Sequence, residues 1–175
     1  MPVFIGSAER GNGLMRLLKA IRHEAPDFEQ TAKRLGLSGA SAQVQIMKTI
    51  HTSHAGKLSV ARIFGGAISD NGDLILPDGN SARISAIHTV LGMSQKKIGQ
   101  APIGETVALG KLEQARTGDT LAIGKTAAKQ LNVATPPAPV MSTSVLPKER
   151  KDVVKLSAAL QRLAEEDPSL HIEHA

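Results

Sequence analysis

The densest collection of side chains capable of chemistry lies in the stretch HTSHAGKLSVARIFGGAI, from His51 to Ile68. His51, His54, Lys57 and Arg62 share it with three glycines in an otherwise apolar segment. Two histidines could begin a metal site, and glycine beside lysine could begin a phosphate cradle. A metal site, however, needs three or four converging ligands. The chain has no cysteine, and no aspartate or glutamate lies near these histidines in sequence. His171 and His174, with Glu173 between them, meet the same objection. Both pairs read as structural or surface histidines, and no metal is expected.

Gly124-Lys125-Thr126 has the ending of a phosphate loop. Such a loop wraps phosphate in backbone N–H groups and needs a glycine with four residues intervening. Gly118 leaves five, and Asp119 would put a carboxylate inside an anion nest, so a plain turn is the better reading. Gly11-Asn12-Gly13 lacks the third glycine of a dinucleotide fingerprint, because Arg16 takes its place. No spacing suggests a Ser/His/Asp arrangement, and no catalytic residue is expected.

The elements that must position these residues change character along the chain. Residues 2–8, PVFIGSA, read as a short buried strand. Asn12 can cap a helix in which Leu14, Leu17, Leu18 and Ile21 form one apolar stripe, stopped by Pro26. FEQTAKRLGLSG, from Phe28 to Gly39, reads as a second short helix. From Gln43 onward, VQIMKTIH, KLSVARIFGGAI, LILP, ARISAIHTV, PIGETVALGKL and TGDTLAI are short β-rich runs. Gly65-Gly66 marks a bend, and Asp70-Asn71-Gly72-Asp73 marks a turn. Many short strands between Gly/Asp/Asn turns predict a small closed β-barrel.

Pro136, Pro137 and Pro139 make a stiff extended linker. VMSTSVLP then reads as a strand. Val153, Leu156, Leu160 and Leu163 give a helical stripe ended by Asp167-Pro168, and SLHIEHA starts another strand. The fold class expected is mainly β with flanking α/β pieces. Three parts follow: residues 1–40, a β-barrel over 41–135, and a β-α-β piece over 136–175. The outer two read as portions of larger domains.

Composition sets limits on function. Aromatic residues are 2% of the 175, which disfavours stacking of bases on aromatic platforms. No run of about 18 apolar residues exists to span a membrane, and the N-terminus lacks signal-peptide character. A cytoplasmic location with no membrane partner is expected. The formal net charge is +5, and residues 41–135 contribute most of it, with ten basic against six acidic side chains. That excess suits a polyanionic partner such as nucleic acid, and suits an ordinary basic surface equally well.

KTIHTSHAGKLSVARIFGGAISDNGDLI resembles the first half of the second domain of elongation factor G and related translational GTPases. Lys48, His54, Gly56, Lys57, Leu58, Arg62, Gly66, Gly72, Asp73 and Leu74 match the family pattern. Gly118, Asp119 and Thr120 match the T-G-D-T-L of that domain's second half, whereas Gly104-Glu105-Thr106 replaces its Ala-Gly-Asp. Ala159, Leu160, Arg162, Leu163, Glu166, Asp167 and Pro168 match the opening of the third domain. PVFIGSA resembles the last strand of the GTPase domain, with Ser7 and Ala8 as its guanine-contacting pair. The departures at FEQTAKRLGLSGASAQ and LPDGNSARIS suggest an elongation factor G-like paralogue.

The resemblance implies a translation-factor-type barrel (domain II) flanked by the end of a GTPase domain and the start of domain III. It implies a ribosomal partner, small-subunit rRNA, and contacts with the parent's own GTPase and later domains. Candidate RNA contacts are Lys57, Arg62, Arg83, Lys96 and Lys97. GTP and magnesium belong to the full-length parent. The family's phosphate loop, switch segments and N-K-x-D motif do not occur in these residues, so no cofactor, no GTP affinity and no hydrolysis are expected of them. The alternative is a structural or protein-interaction β-barrel module that binds no RNA.

Overall fold

A computed structural model describes residues 2–37, 43–52, 56–92 and 94–173. The chain divides into two compact units, Met1–Ser38 and Gly39–Ala175.

In the first unit, helix α1 spans Leu14–Glu24 and α2 spans Phe28–Arg34. Asn12 does not cap α1. Its carbonyl is taken by the Ser7 N–H at 3.0 Å, and Gly13 becomes the N-cap at φ 80°, a conformation open to glycine. Pro26 acts as expected, since α1 ends one residue before an extended Ala25 at ψ 131°. Asp27 caps α2 by accepting from the Gln30 N–H at 2.8 Å. The strand expected over residues 2–8 is absent. Its backbone makes one isolated bridge, Ser7 to Asn12, because no neighbouring strand lies alongside among the described residues. The α1 stripe is exposed, with Leu14, Leu17, Leu18 and Ile21 between 39% and 55% accessible.

The second unit is built on ten strands: β1 (Gln43–Thr52), β2 (Gly56–Ile63), β3 (Ile68–Ser69), β4 (Asp73–Ile75), β5 (Ser81–Arg83), β6 (Ile87–Leu91), β7 (Ser94–Ile98), β8 (Gln100–Ala101), β9 (Thr106–Gly110) and β10 (Thr120–Ala122). Eight form one antiparallel sheet in the order β5-β4-β10-β1-β2-β9-β6-β7, and β3 pairs with β8 separately. The expected closure is therefore not made by one continuous ladder. β5 and β7 end the order without pairing to each other among the described residues. Both are short polar strands bearing Arg83, Lys96 and Lys97, and charge on an edge strand discourages further pairing.

One aliphatic core nevertheless joins the two ends of the order. Leu74 and Leu76 pack in the same buried cluster as Val44, Ile46, Ile63, Ile87, Leu109 and Leu121. Burying each such side chain contributes roughly 1.5–3 kcal/mol, so this cluster outweighs any single polar contact. Gly118 explains why T-G-D-T-L is written as it is. It sits at φ 98°, its N–H reaches the Ile46 carbonyl at 2.8 Å, and an added Cβ would lie 3.1 Å from Val133. Asp119 closes the same turn by accepting from the Arg116 N–H at 2.8 Å.

Residues 126–149 carry no regular structure, as the prolines predict. Gln130 fastens the start of this segment to β10. Its amide accepts from the Thr120 N–H and donates to the Thr120 carbonyl, both at 2.8 Å, as a neighbouring strand would. The strand expected over VMSTSVLP is absent, and residues 169–173 form none, since neither runs beside a strand edge among the described residues. A 3-10 turn, Arg150–Asp152, leads into helix α3, Val153–Glu166. No residue of α3 is fully buried, and of its apolar stripe Leu156 and Leu160 are half-buried while Val153 and Leu163 are exposed.

Candidate functional site

The candidate site follows from a bulge in β1. The register between β1 and β2 shifts between Ile46 and Lys48. Before the shift, Val44 lies opposite Ile63 and Ile46 opposite Ala61, all buried in the core. After it, Thr49 lies opposite Ser59 and His51 opposite Lys57. A bulge adds one residue to one strand and resets which side chains face inward. Without it, strict alternation would turn Lys48 and Ile50 toward the core and Thr49 and His51 away. One face of a single hairpin thus passes from aliphatic to polar along its length.

The polar half is buried and mostly partnered. Thr49, Lys57 and Ser59 are all less than 5% accessible. The Thr49 and Thr117 hydroxyls lie 3.0 Å apart, while the Ser59 hydroxyl has no partner among the described residues. The Lys57 ammonium donates to the Glu113 carbonyl at 2.9 Å and pairs with Glu165 at 3.1 Å. Glu165 Oε2 also accepts from His51 Nε2 at 3.0 Å, and Glu166 accepts from the His51 backbone N–H. Two adjacent glutamates at the end of α3 are therefore seated on the polar end of the β1–β2 hairpin.

That placement runs against the helix's own electrostatics. The C-terminus of a helix carries partial negative charge, and a carboxylate there costs about 0.3–1 kcal/mol. α3 has no basic residue in its last turn to offset it. The compensating charge comes across the contact, from Lys57, and His51 adds a hydrogen bond. Burial alone would raise the Glu165 carboxyl. Hydrogen bonds from Lys57 and His51, with their charges, outweigh burial and hold it below the usual glutamate range. Asp167 is also held low, by the Ser169 hydroxyl and N–H, with a smaller contribution from the Lys48 charge.

The candidate residues fall into separate places. Lys57 is inside, its ammonium engaged as above. Arg62 is half-buried and donates to the Thr106 hydroxyl at 3.1 Å. Arg83 on β5 and Lys96 on β7 are exposed and make no ion pair among the described residues. Lys97 is exposed but pairs with Asp70 at 2.9 Å. The turn from Asp70 to Asp73 touches both edges, since Asp70 holds Lys97 and Asp73 lies opposite Arg83 in register. Ser7 and Ala8, in the first unit, line a small cavity of about 240 Å³ with Phe4, Ile5, Asn12 and Leu17. It is largely apolar, and no lysine or arginine lines it. Gly124-Lys125-Thr126 is a bend. His54 and His174 lie outside the described residues, and His171 is exposed. Among the described residues no three His, Asp or Glu side chains converge as metal ligands, and no helix is long and apolar enough to cross a membrane.

Over residues 136–175 the chain matches a family model described as Elongation Factor G, domain III. Over 173 residues it is 39% identical to the Elongation factor G-like protein of Synechocystis sp., covering 97% of this chain and 25% of that protein. The chain is elongation factor G-like along nearly its whole length. Elongation factor G 1 of Syntrophus aciditrophicus is 32% identical over 187 residues, covering 96% of this chain and 26% of its own length. Elongation factor G of Paracoccus denitrificans is 30% identical over 190 residues, covering 98% and 27%. A crystal structure of a protein from Thermus thermophilus superposes with a TM-score of 0.75 at 25% identity, over 94% of this chain and 24% of that one. The chain thus spans about a quarter of the length of the elongation factor G-like relatives it matches.

The glutamates that grip the hairpin were only partly visible in the sequence. Glu166 belongs to the matched third-domain pattern, but Glu165 had no motif. The available signal was the pair itself: two acids in a last helical turn without a nearby base need cations from elsewhere.

Proposed function

We propose that this chain is a working piece of an elongation factor G-like translational GTPase, with the β-unit docking on small-subunit rRNA and passing the GTP state toward the third domain. The observation that carries this reading is the similarity to elongation factor G proteins along nearly the whole chain. The parts would be residues 1–40 from the GTPase domain, 41–135 as the barrel of domain II, and 136–175 as the start of domain III. The shared aliphatic core supports a barrel wrapped on itself. β8 follows β7 directly and pairs with β3, which turns into β4, so the chain bridges the gap that the main ladder leaves.

Docking would use cations against RNA phosphates and shape, with little base stacking. Arg83 and Lys96 are the strongest candidates because they are exposed and make no ion pair among the described residues. Arg62 and Lys97 would first loosen from Thr106 and Asp70. Lys57 serves this reading from inside, by holding α3. In the longer protein, GTP and magnesium would be bound mainly by residues other than these, with Ser7 and Ala8 near the guanine edge.

The second reading, a β-module that contacts only protein, draws support from Lys57 and Lys97 being engaged within the chain. Salt separates the two. Two phosphate contacts give a log–log slope of about −1.5 to −2 for binding to small ribosomal subunits. Affinity that falls steeply between about 50 and 200 mM salt supports docking on RNA. Affinity indifferent to salt rejects docking and favours the protein-contact module.

A further inference from the structure

We infer that Glu165 is the positioning residue of a pivot, through which the polar end of the β1–β2 hairpin sets the direction of α3. The inference rests on the relay reading above and supplies its contact. Three observations carry it. First, α3 buries no side chain fully, and its apolar residues Leu156, Leu160 and Ala164 are only half-buried, so apolar packing holds it less firmly than a core helix. Second, its attachment is concentrated at its last turn, where Glu165 meets Lys57 and His51 and Glu166 meets the His51 N–H. Third, that turn has open space at both flanks. A cleft of about 680 Å³ is lined by Thr49, Lys57, Glu113, Arg116, Gln161 and Glu165. Another of about 580 Å³ is lined by Met47, Lys48, Val133, Thr135, Glu166 and Pro168. A helix held at one end by directional polar contacts, with room alongside, is free to swing about that end.

Lys57 makes the pivot selective. Its stem is fixed in the hairpin, and its ammonium is buried and already committed to the Glu113 carbonyl. A buried ammonium strongly favours a carboxylate at its remaining donors. Glu165 therefore defines one seated direction, and any swing of α3 must first lift it from Lys57 and His51.

The chain has no cysteine, so two introduced ones can carry spin labels without competition. Ser81→Cys on β5 and Ser157→Cys on α3 are both exposed positions. The parent pair should give one narrow distance distribution. Glu165→Gln should broaden it or add a second distance while the β circular-dichroism signal stays unchanged. Arg162→Gln, on the same helix, should leave it narrow. A parent-like distribution in Glu165→Gln overturns the inference, as does equal broadening in Arg162→Gln. If Glu165→Gln lacks the native β signal, Glu165→Asp replaces it, keeping the charge and shortening the reach. Broadening there supports the pivot, and an unchanged distribution overturns it. The distances are measured on the chain alone, so failure of ribosome docking and failure of the pivot are read separately.

Discussion

The two halves of the β1–β2 hairpin do opposite work on the same face. At one end Val44, Ile46, Ala61 and Ile63 are sealed in the core. At the other, past the bulge, Thr49, Ser59, His51 and Lys57 form a polar seat for the end of α3. The aliphatic half is non-directional and strong. The polar half is weaker, but it specifies which partner sits there and at what angle. One extra residue in β1 separates folding from joining.

The aliphatic half should be the costlier to damage. Ile63→Ala should lower the stability of the β-unit by about 2–5 kcal/mol, because it removes buried methyl groups and leaves a cavity. Chemical denaturation followed by far-ultraviolet circular dichroism measures it, and a loss near zero would remove the contrast. Glu165→Gln should cost less. A hydrogen-bonded charge contact is worth about 1.5–3 kcal/mol, and with Glu165 a third exposed the expected loss is about 1 kcal/mol.

Acid should separate the halves in the same way. Glu165 is held below its ordinary value in the folded chain. Its contribution is complete above the unfolded glutamate value of about 4.3 and is lost as pH falls through the folded value. The groups around it are Lys57, His51, Glu166 and, across the cleft, Glu113 and Arg116. Titration from pH about 5 downward should release α3 before the sheet melts. Simultaneous loss of helix and sheet signals would merge the two regions into one.

The smallest effect on stability belongs to the edges. Lys96→Ala should shift stability by no more than about 0.5 kcal/mol, as for an exposed residue without a partner. If the docking reading holds, it should flatten the salt slope of ribosome binding by about 0.7–0.9, one phosphate contact. An unchanged slope would remove Lys96 from that surface.

Much of this was legible in the residues. Most of the short strands, the Gly65-Gly66 bend, the turn at Asn71-Gly72 and the stop at Pro26 follow from local backbone preferences and appear where expected, whereas the polar strand β7 lies in no expected run. Asn12 is not the cap: the helix begins one residue later, with Gly13 at φ 80° in the N-cap position and the Asn12 carbonyl bonded to the Ser7 N–H, a contact that local capping preferences do not encode. The terminal strands failed because strand-like sequence forms a strand only beside an edge. Continuous closure failed for a related reason: a count of short strands does not specify which ends pair. At the site, Lys57 read as a surface cation because an exposed basic residue on a strand is ordinary. It shares the inward face of β2 with Ser59, Ala61 and Ile63, and the Glu165 carboxylate that makes this tolerable comes from a distant helix, a tertiary contact.

The most direct measurement is amide hydrogen exchange on the parent chain and on Glu165→Gln, followed residue by residue. The account predicts faster exchange in the last turns of α3 and unchanged slow exchange at Ile46 and Ile63, whose N–H groups bond to Asp119 and Glu105 at 2.8 and 3.0 Å. If the substitution left α3 as protected as before, or accelerated helix and core together, the hairpin would not be divided into a core and a joint.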